Sequence, residues 1–209
     1  MINFTIPQSL KDREIDILDY GGGGGQFASI CKLTFPLSKI YITDLYDEKL
    51  LERYEKFNNQ IKFNEFENNK IKFDFIFLND VFEHLSDPSD VLKFLKNKLK
   101  DKNFKIFIDT PKKFWLYEFS SIFSKNLYRK ILTGTVDQDH QQIWSKKSFY
   151  IATSNSGLKV EKYKELTEFT QPASFYLNSM KIENFYLRLI GKIFYFFAPV
   201  IARNKIISI

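Results

Sequence analysis

The sequence contains few of the residues that cross-link a chain or bind metal ions. Its 209 residues include one cysteine, Cys31, and two histidines, His84 and His140. A single cysteine excludes an intramolecular disulfide framework and a four-thiolate zinc site. The remaining group of metal-binding side chains, Asp137 and Asp139 beside His140, has a generic spacing, so we expect no metal site.

Long hydrophobic runs are missing as well. An uncharged apolar run of roughly 18 residues is needed to span a bilayer, and the longest here, residues 193–202, is much shorter. The first ten residues lack a basic region followed by an apolar run, so we expect no signal peptide. Together with the single cysteine, these features lead us to expect a cytoplasmic, reducing setting.

The composition is that of a globular protein with a mild positive charge. Lys and Arg number 31 against 25 Asp and Glu, and 44% of the residues are hydrophobic. The length suits one domain. The lysines are scattered along the chain, which is typical of solvated helix faces, so the charge by itself argues little for a nucleic-acid partner.

Short apolar runs alternate with helical patterns along most of the chain. Apolar runs predict strands over 15–18, 39–43, 61–63, 73–78, 104–108 and 158–166. Spacing and caps predict helices over 26–35 and 47–57, another from Pro88 with Asp87 as N-cap, and one from Ser145 to about 155. This alternation favours an α/β fold with a doubly wound, mostly parallel sheet of Rossmann-like type.

Two segments do not follow the alternation. An aromatic-rich insertion covers about 112–142, and a tail with helical character covers about 167–209. We interpret both as candidate lids on a single domain, 1–209, whose core covers about 14–165. No antiparallel strand can be placed in the tail from its sequence.

A glycine-rich loop joins the first predicted strand to the first predicted helix, at residues 19–25. Glycines let a ligand approach the backbone, and the helix N-terminus behind them offers free N–H groups. Gly23, Gly25 and Ala28 fit a nicotinamide-cofactor pattern, which leaves an NAD(P)-dependent reductase open. Asp19 before the glycines favours a cationic ligand instead, because a pyrophosphate would be repelled.

Ordered motifs then give a resemblance. The segments ILDYGGGGGQFA, FDFIFLNDVFEHLSDPSDVLKFLKNKL, IFIDTPKKF and DHQQIWS followed by SGLKV resemble class I S-adenosylmethionine-dependent methyltransferases. They are most similar to the small-molecule subgroup that includes ubiquinone-type O-methyltransferases and glycan-cluster methyltransferases. The likeness covers roughly 14–165. Residues 79–82, Asn-Asp-Val-Phe, differ from the Asp/Asn-Pro-Pro-aromatic motif of enzymes that methylate the amino group of a flipped base. This argues against a DNA methyltransferase of that type and leaves RNA methyltransferases open, although a nucleic-acid partner is not expected.

The resemblance implies S-adenosyl-L-methionine as the cofactor and assigns residues to it. Asp44 matches the acidic residue that accepts hydrogen bonds from the ribose. The whole implied cofactor set follows: Asp19, Gly21, Gly23, Gly25, Asp44, Leu45, Glu65 and Asn79.

Methyl transfer to a hydroxyl requires that a proton be removed, which suits a histidine. We expect His140 to be the base, with His84 and then Asp80 as the other candidates. The expected acceptor is a small molecule, a sugar or a lipid-linked compound, methylated at oxygen. A catalytically inactive methyltransferase-like module stays open beside the reductase.

The end of the tail, 184–209, has no acidic residue and four basic ones, Arg188, Lys192, Arg203 and Lys205. Between them lies a run of aromatic and aliphatic residues, which Pro199 would interrupt. The segment predicts either a helix packed on the sheet, a homodimer contact, or a peripheral surface at the inner face of a membrane.

Overall fold

The fold is described from a computed structural model of the chain. It describes residues 6–45, 61, 63–101, 105–110, 142, 144–164, 174, 177–178, 182–197 and 207–208. The predicted helix over 47–57 lies outside these residues. So do His140, Asp137 and Asp139 and nearly all of the insertion.

Four parallel strands form the centre of the sheet. They are β1 (Asp16–Tyr20), β2 (Lys39–Thr43), β3 (Phe75–Asn79) and β4 (Lys105–Asp109), in the spatial order β2-β1-β3-β4. Two short strands complete it, β5 (Lys162–Tyr163) and β6 (Ile207–Ser208), with β6 antiparallel to both β4 and β5. The predicted α/β architecture with a mostly parallel, Rossmann-like sheet is confirmed.

The helices of the described residues mostly begin and end where local signals place them. They are α1 (Gln26–Thr34), α2 (Phe63–Phe66), α3 (Pro88–Lys96), α4 (Lys146–Asn155) and α5 (Phe185–Phe197), with 3-10 turns at Gln8–Leu10 and Phe82–His84. The Asp87 carboxylate accepts from Asp90 N at 3.0 Å and caps α3 as predicted. Ser145 and Ser148 form a reciprocal capping box at the start of α4.

Two predicted strands differ from the structure, and one observed strand was not predicted. The strand predicted over 61–63 is wrong: Ile61 makes one backbone bond to Ile42 O at 3.0 Å, and the chain then turns into α2. The strand predicted over 158–166 is reduced to β5, because charged residues interrupt its apolar pattern. The tail does contain an antiparallel strand, β6, which is too short to leave a periodic pattern.

The sheet is packed on both faces, which fixes the positions of its strand ends. Neighbouring residues of β1 illustrate this, since Ile17 and Leu18 are both fully buried but belong to different apolar clusters. Helix α1 covers one face through Ala28 and Cys31, whereas α3 and α4 cover the other. Among the described residues, no helix is long and apolar enough to cross a membrane.

Candidate functional site

Backbone contacts and glycine conformations fix the shape of the loop after β1, at the carboxyl edge of the sheet. Gly21 N donates to Thr43 O at 2.7 Å, which ties the loop to the end of β2. Gly21, Gly23 and Gly25 have φ of 72°, 44° and 63°, and Gly25 is the N-cap residue of α1. Side chains rarely adopt these backbone angles, so the turn depends on glycine.

A side chain at Gly21 or Gly22 would clash with a neighbouring residue, whereas a side chain at Gly23 would lie in open space. A Cβ on Gly21 would lie 2.5 Å from Val81 Cγ2, and one on Gly22 would lie 2.7 Å from Ile42 Cγ2. Apart from Gly23 itself and its chain neighbours, no atom of the described residues lies within 4 Å of the position that a Cβ on Gly23 would take. The loop is therefore packed where it leaves β1 and open to a ligand at Gly23.

Asp19 is a buried carboxylate with spare hydrogen-bonding capacity. Its side chain is 1% exposed, and within the described part of the chain its Oδ2 has no hydrogen-bond partner. Burial raises the pKa of Asp19 to about 7, although the nearby Asn79 amide and the Ala28 backbone N–H act to lower it. The nearby Asp44 charge raises it further. Such a group fits a ligand that brings a cation or donor.

Asp44 follows β2 and contacts the same loop. Its Oδ2 accepts from Gly23 N at 2.7 Å, so this carboxylate orders the open part of the loop. Asn79 ends β3 at the same edge of the sheet. The structure therefore brings together the glycine loop, Asp19, Asp44 and Asn79, all predicted from the sequence. Leu45 is exposed beside Asp44, and Glu65 is exposed on α2; their cofactor roles stay predictions.

The turn after β3 contains two of the predicted base candidates. Asp80 has φ of 51°, the one described non-glycine residue with positive φ, and its N donates to Asp109 O at 3.0 Å. Aspartate tolerates this left-handed conformation better than most residues, and such strain is typical of functional sites. His84 is partly buried, and its N donates to Val81 O at 2.9 Å. Since Val81 packs on Gly21, this turn adjoins the glycine loop.

Glu83 is a site residue that the sequence analysis missed. Its side chain is 1% exposed, and its Oε2 accepts from the Thr110 hydroxyl at 2.9 Å. Burial raises the pKa of Glu83 to about 7, against the lowering effect of the hydrogen bonds it accepts. The sequence places Glu83 and Thr110 after two different strands, and only the pairing of those strands brings the two side chains together.

The chain returns to this edge of the sheet after the insertion. Gln142 N donates to Glu83 O at 3.1 Å, and the Gln142 side chain donates to Leu85 O at 3.3 Å. His140, the first choice for the base, lies two positions earlier in the sequence and outside the described residues. Within the described ranges, no group of three or more His, Cys, Asp or Glu side chains could hold a metal ion.

A parallel sheet in the order β2-β1-β3-β4, a glycine loop after β1 and an acidic residue after β2 together define a class I methyltransferase fold. The methyltransferase-domain family matches residues 2–163, well over half of the chain, and the chain belongs to that family. It is a methyltransferase that uses S-adenosyl-L-methionine, as the sequence predicted, and not a reductase.

Solved structures agree on the fold. The YcgJ protein of Bacillus subtilis is 14% identical, with a TM-score of 0.64, and the match covers 96% of this chain and 93% of that one. A SAM-dependent methyltransferase of Archaeoglobus fulgidus is 16% identical, with a TM-score of 0.57 and coverage of 96% and 86%. A protein of Galdieria sulphuraria, provisionally assigned as a sarcosine dimethylglycine methyltransferase, is 17% identical, with a TM-score of 0.59 and coverage of 96% and 79%.

No curated protein matches the sequence of this chain. The site residues themselves therefore provide the test of whether the cofactor fits. S-adenosylmethionine has an ammonium group and ribose hydroxyls. Within the described residues, Asp19 has a buried carboxylate oxygen without a partner, Asp44 supplies a second carboxylate, and no side chain lies next to Gly23. These groups fit the cofactor.

Proposed function

We propose that this methyltransferase methylates a hydroxyl oxygen of a small-molecule, sugar or lipid-linked acceptor. The observation that carries the proposal is the group of titratable side chains in the turn after β3, Asp80, Glu83 and His84, beside the glycine loop. An amine can lose its proton after methylation, whereas a hydroxyl gains most from a base at the moment of attack. The Galdieria neighbour is provisionally assigned a small-molecule acceptor, which supports the acceptor size.

The bound cofactor supplies a methyl group on a positively charged sulfur. Because the leaving group is a neutral thioether, the transfer needs no acid. The protein must therefore hold the acceptor in line, exclude water and remove a proton. We assign proton removal to His140, because Gln142 brings the chain close to this turn. His84 and Asp80 are the other candidates. The insertion 112–142 would form the cover that excludes water.

The cofactor residues are assigned by their placement. Asp19 meets the ammonium group, Asp44 accepts from the ribose, and Gly21, Gly23 and Gly25 shape the loop. Leu45, Glu65 and Asn79 complete the proposed set. Replacing Asp44 with alanine removes both the ribose acceptor and the partner of Gly23 N. We expect the variant to bind S-adenosylhomocysteine more weakly by roughly 1–3 kcal/mol. Unchanged affinity in calorimetric titration would overturn the ribose assignment.

The proposal is tested by methyl transfer from labelled S-adenosylmethionine to paired acceptors, a phenol or sugar hydroxyl against the matching amine. We expect the hydroxyl compounds to be methylated. His140→Ala should then lower turnover by roughly 10²–10⁴-fold with unchanged S-adenosylhomocysteine affinity, whereas His84→Ala and Asp80→Asn should have smaller effects. Labelling of only the amines contradicts oxygen transfer. Near-normal turnover of His140→Ala would mean that His140 is not the base and that another residue removes the proton.

The proposal includes a cytoplasmic setting, since a lipid-linked acceptor and the cofactor would meet at the inner face of a membrane. Residues 184–209 would provide peripheral contact there. A homodimer through the same residues is the competing arrangement.

A further inference from the structure

Helix α5 presents a row of apolar side chains to the outside of the molecule. Phe185, Leu189 and Ile193 repeat at four-residue intervals, and Tyr186 and Ile190 lie beside them on the same side of the helix. Their exposure runs from 47% for Leu189 to 72% for Tyr186. Scattered single apolar residues are normal on a surface, but a continuous apolar side of a helix marks an interaction site.

The opposite side of α5 is the one that packs against the protein. A Cβ on Gly191 would lie 2.5 Å from Cδ2 of Leu177, which is buried. The Arg188 guanidinium donates to Ile182 O and to Asn178 Oδ1, each at 2.8 Å. A surface helix of a globular protein normally packs its apolar side inward and leaves its polar side in water. Between Phe185 and Ile193, α5 instead exposes its apolar row, and its packing contacts are made by Arg188 and Gly191.

The tail cannot be treated as a loose extension of the domain. After α5 the chain returns to the sheet as β6, which pairs with β4 and β5. Truncation before α5 would therefore remove a strand as well as the helix. The apolar side of α5 has to be tested by substitution in the full chain.

We infer that the outward apolar side of α5 docks on an anionic lipid bilayer, with the helix lying in the plane of the interface. The charge of the segment identifies this occupant, because 184–209 has four basic residues and no acidic one. Anionic headgroups attract basic side chains, and an amphipathic helix inserts its apolar side among the acyl chains. A second copy of the chain would instead bring the same positive charges together.

This inference deepens the proposed function, on which it rests for its biological meaning. A lipid-linked acceptor remains at the membrane, whereas the cofactor is soluble. A methyltransferase held at the bilayer by α5 would reach such an acceptor without extracting it. Helix α5 would recognise an anionic phospholipid surface, and the site would accept a compound with an apolar tail.

The test is sedimentation of the full-length protein with phosphatidylcholine vesicles, with and without phosphatidylglycerol. We expect binding to the anionic vesicles, and at least roughly tenfold less bound protein for Leu189→Glu with Ile193→Glu. The matched control is Ile30→Glu with Leu33→Glu, two apolar side chains on α1 that are 52% and 81% exposed. This control should bind vesicles like the wild type. S-adenosylhomocysteine affinity is measured for all forms.

Four results would overturn the inference. These are absence of wild-type binding to anionic vesicles, unchanged binding of the α5 variant, equal loss in the α1 control, and a dimer that the α5 variant dissociates while vesicles capture no protein. The cofactor titration separates the two proposals. Vesicle binding without S-adenosylhomocysteine binding would leave the surface intact and contradict the proposed function. Loss of cofactor affinity only in the α5 variant would indicate misfolding, in which case Lys192→Gln should still weaken anionic binding alone.

Discussion

The two ends of the parallel sheet differ in how their buried charged side chains are paired. At the amino end, Asp74 is 5% exposed but fully engaged, since its Oδ2 accepts from Lys100 Nζ at 2.6 Å and from Asp16 N at 2.6 Å. Lys98 is also buried there, and its ammonium group donates to the backbone carbonyls of Phe66 and Glu67 at 3.0 and 3.1 Å. Every one of these charges has a partner of opposite polarity.

At the carboxyl end, burial changes the protonation of acidic side chains instead. Asp19 and Glu83 both have pKa values raised to about 7 by burial, and Asp80 adopts a left-handed backbone conformation. Within the described residues, Asp19 forms no ion pair. This fold therefore pairs its buried charges at the amino end of the sheet, whereas at the carboxyl end burial raises the pKa of two acidic side chains, which is typical of functional sites.

The largest effect expected from this contrast between the two ends comes from Asp19→Asn, which keeps the shape of the side chain and removes its charge. We expect S-adenosylhomocysteine to bind about 10- to 100-fold more weakly at pH 8, because the ammonium group loses its carboxylate partner. Wild-type affinity should fall as the pH drops through 7, where Asp19 becomes protonated. Calorimetric titration at pH 8, 7 and 6 measures both effects.

The control for this prediction is Glu83→Gln, since Glu83 also titrates near 7. That variant should keep the pH dependence of cofactor affinity, whereas Asp19→Asn should remove it. Equal affinities of Asp19→Asn and the wild type at pH 8 would contradict the contrast between the two ends, because Asp19 would then be merely structural.

The next effect tests the amino end. Lys100→Met leaves the buried Asp74 without its ammonium partner, and we expect the free energy of unfolding to fall by about 2 kcal/mol. Urea denaturation gives this value, and cofactor affinity should stay unchanged. Lys93→Met is the matched control, because Lys93 and its partner Asp90 are both exposed. If both variants lose the same stability, burial of Asp74 is not the cause.

Sequence reasoning succeeded where the signal was local. The apolar runs of β1 to β4, the caps Asp87 and Ser145, and the acidic residues after β1 and β2 are each determined by a few neighbouring residues. These features were enough to predict the sheet and the cofactor edge, since the carboxyl ends of parallel strands meet at one edge.

Sequence reasoning failed where the signal depended on distant partners. Strand β6 is a pair of residues whose partners in β4 lie far back in the chain, so no periodicity marks it. The hydrogen bond between Glu83 and Thr110 joins residues 27 positions apart. It follows only from the register that sets Asn79 opposite Asp109. The orientation of α5 depends likewise on the contact of Gly191 with Leu177.

A smaller effect is expected when the charge of Glu83 is removed. Its folded-state pKa is about 7 against an ordinary 4.5, so the native state binds this proton more tightly than the unfolded chain does. The stability that this group contributes is present at low pH and is lost as the pH rises from 4.5 through 7. Glu83→Gln keeps an acceptor for Thr110 and cannot ionise.

We therefore expect Glu83→Gln to unfold with a free energy about 1 kcal/mol higher than the wild type at pH 8, and the gain should shrink toward pH 5. Urea denaturation at both pH values measures the difference. Asp90→Asn, an exposed carboxylate, is the control and should show no such trend. A loss of stability at pH 8 would mean that the ionised carboxylate is well satisfied at this end of the sheet.

The smallest effect concerns the backbone at the carboxyl end. Asp80 has φ of 51°, a conformation that glycine adopts without strain. Asp80→Gly should raise the free energy of unfolding by about 0.5 kcal/mol, the relief of strain being offset in part by the greater freedom of glycine in the unfolded chain. It should also lower turnover, since the Asp80 side chain lies in the proposed acceptor site. A gain in stability together with a loss of activity would show that this edge keeps strain for function, whereas a loss of both would mean that side-chain contacts of Asp80 outweigh the strain.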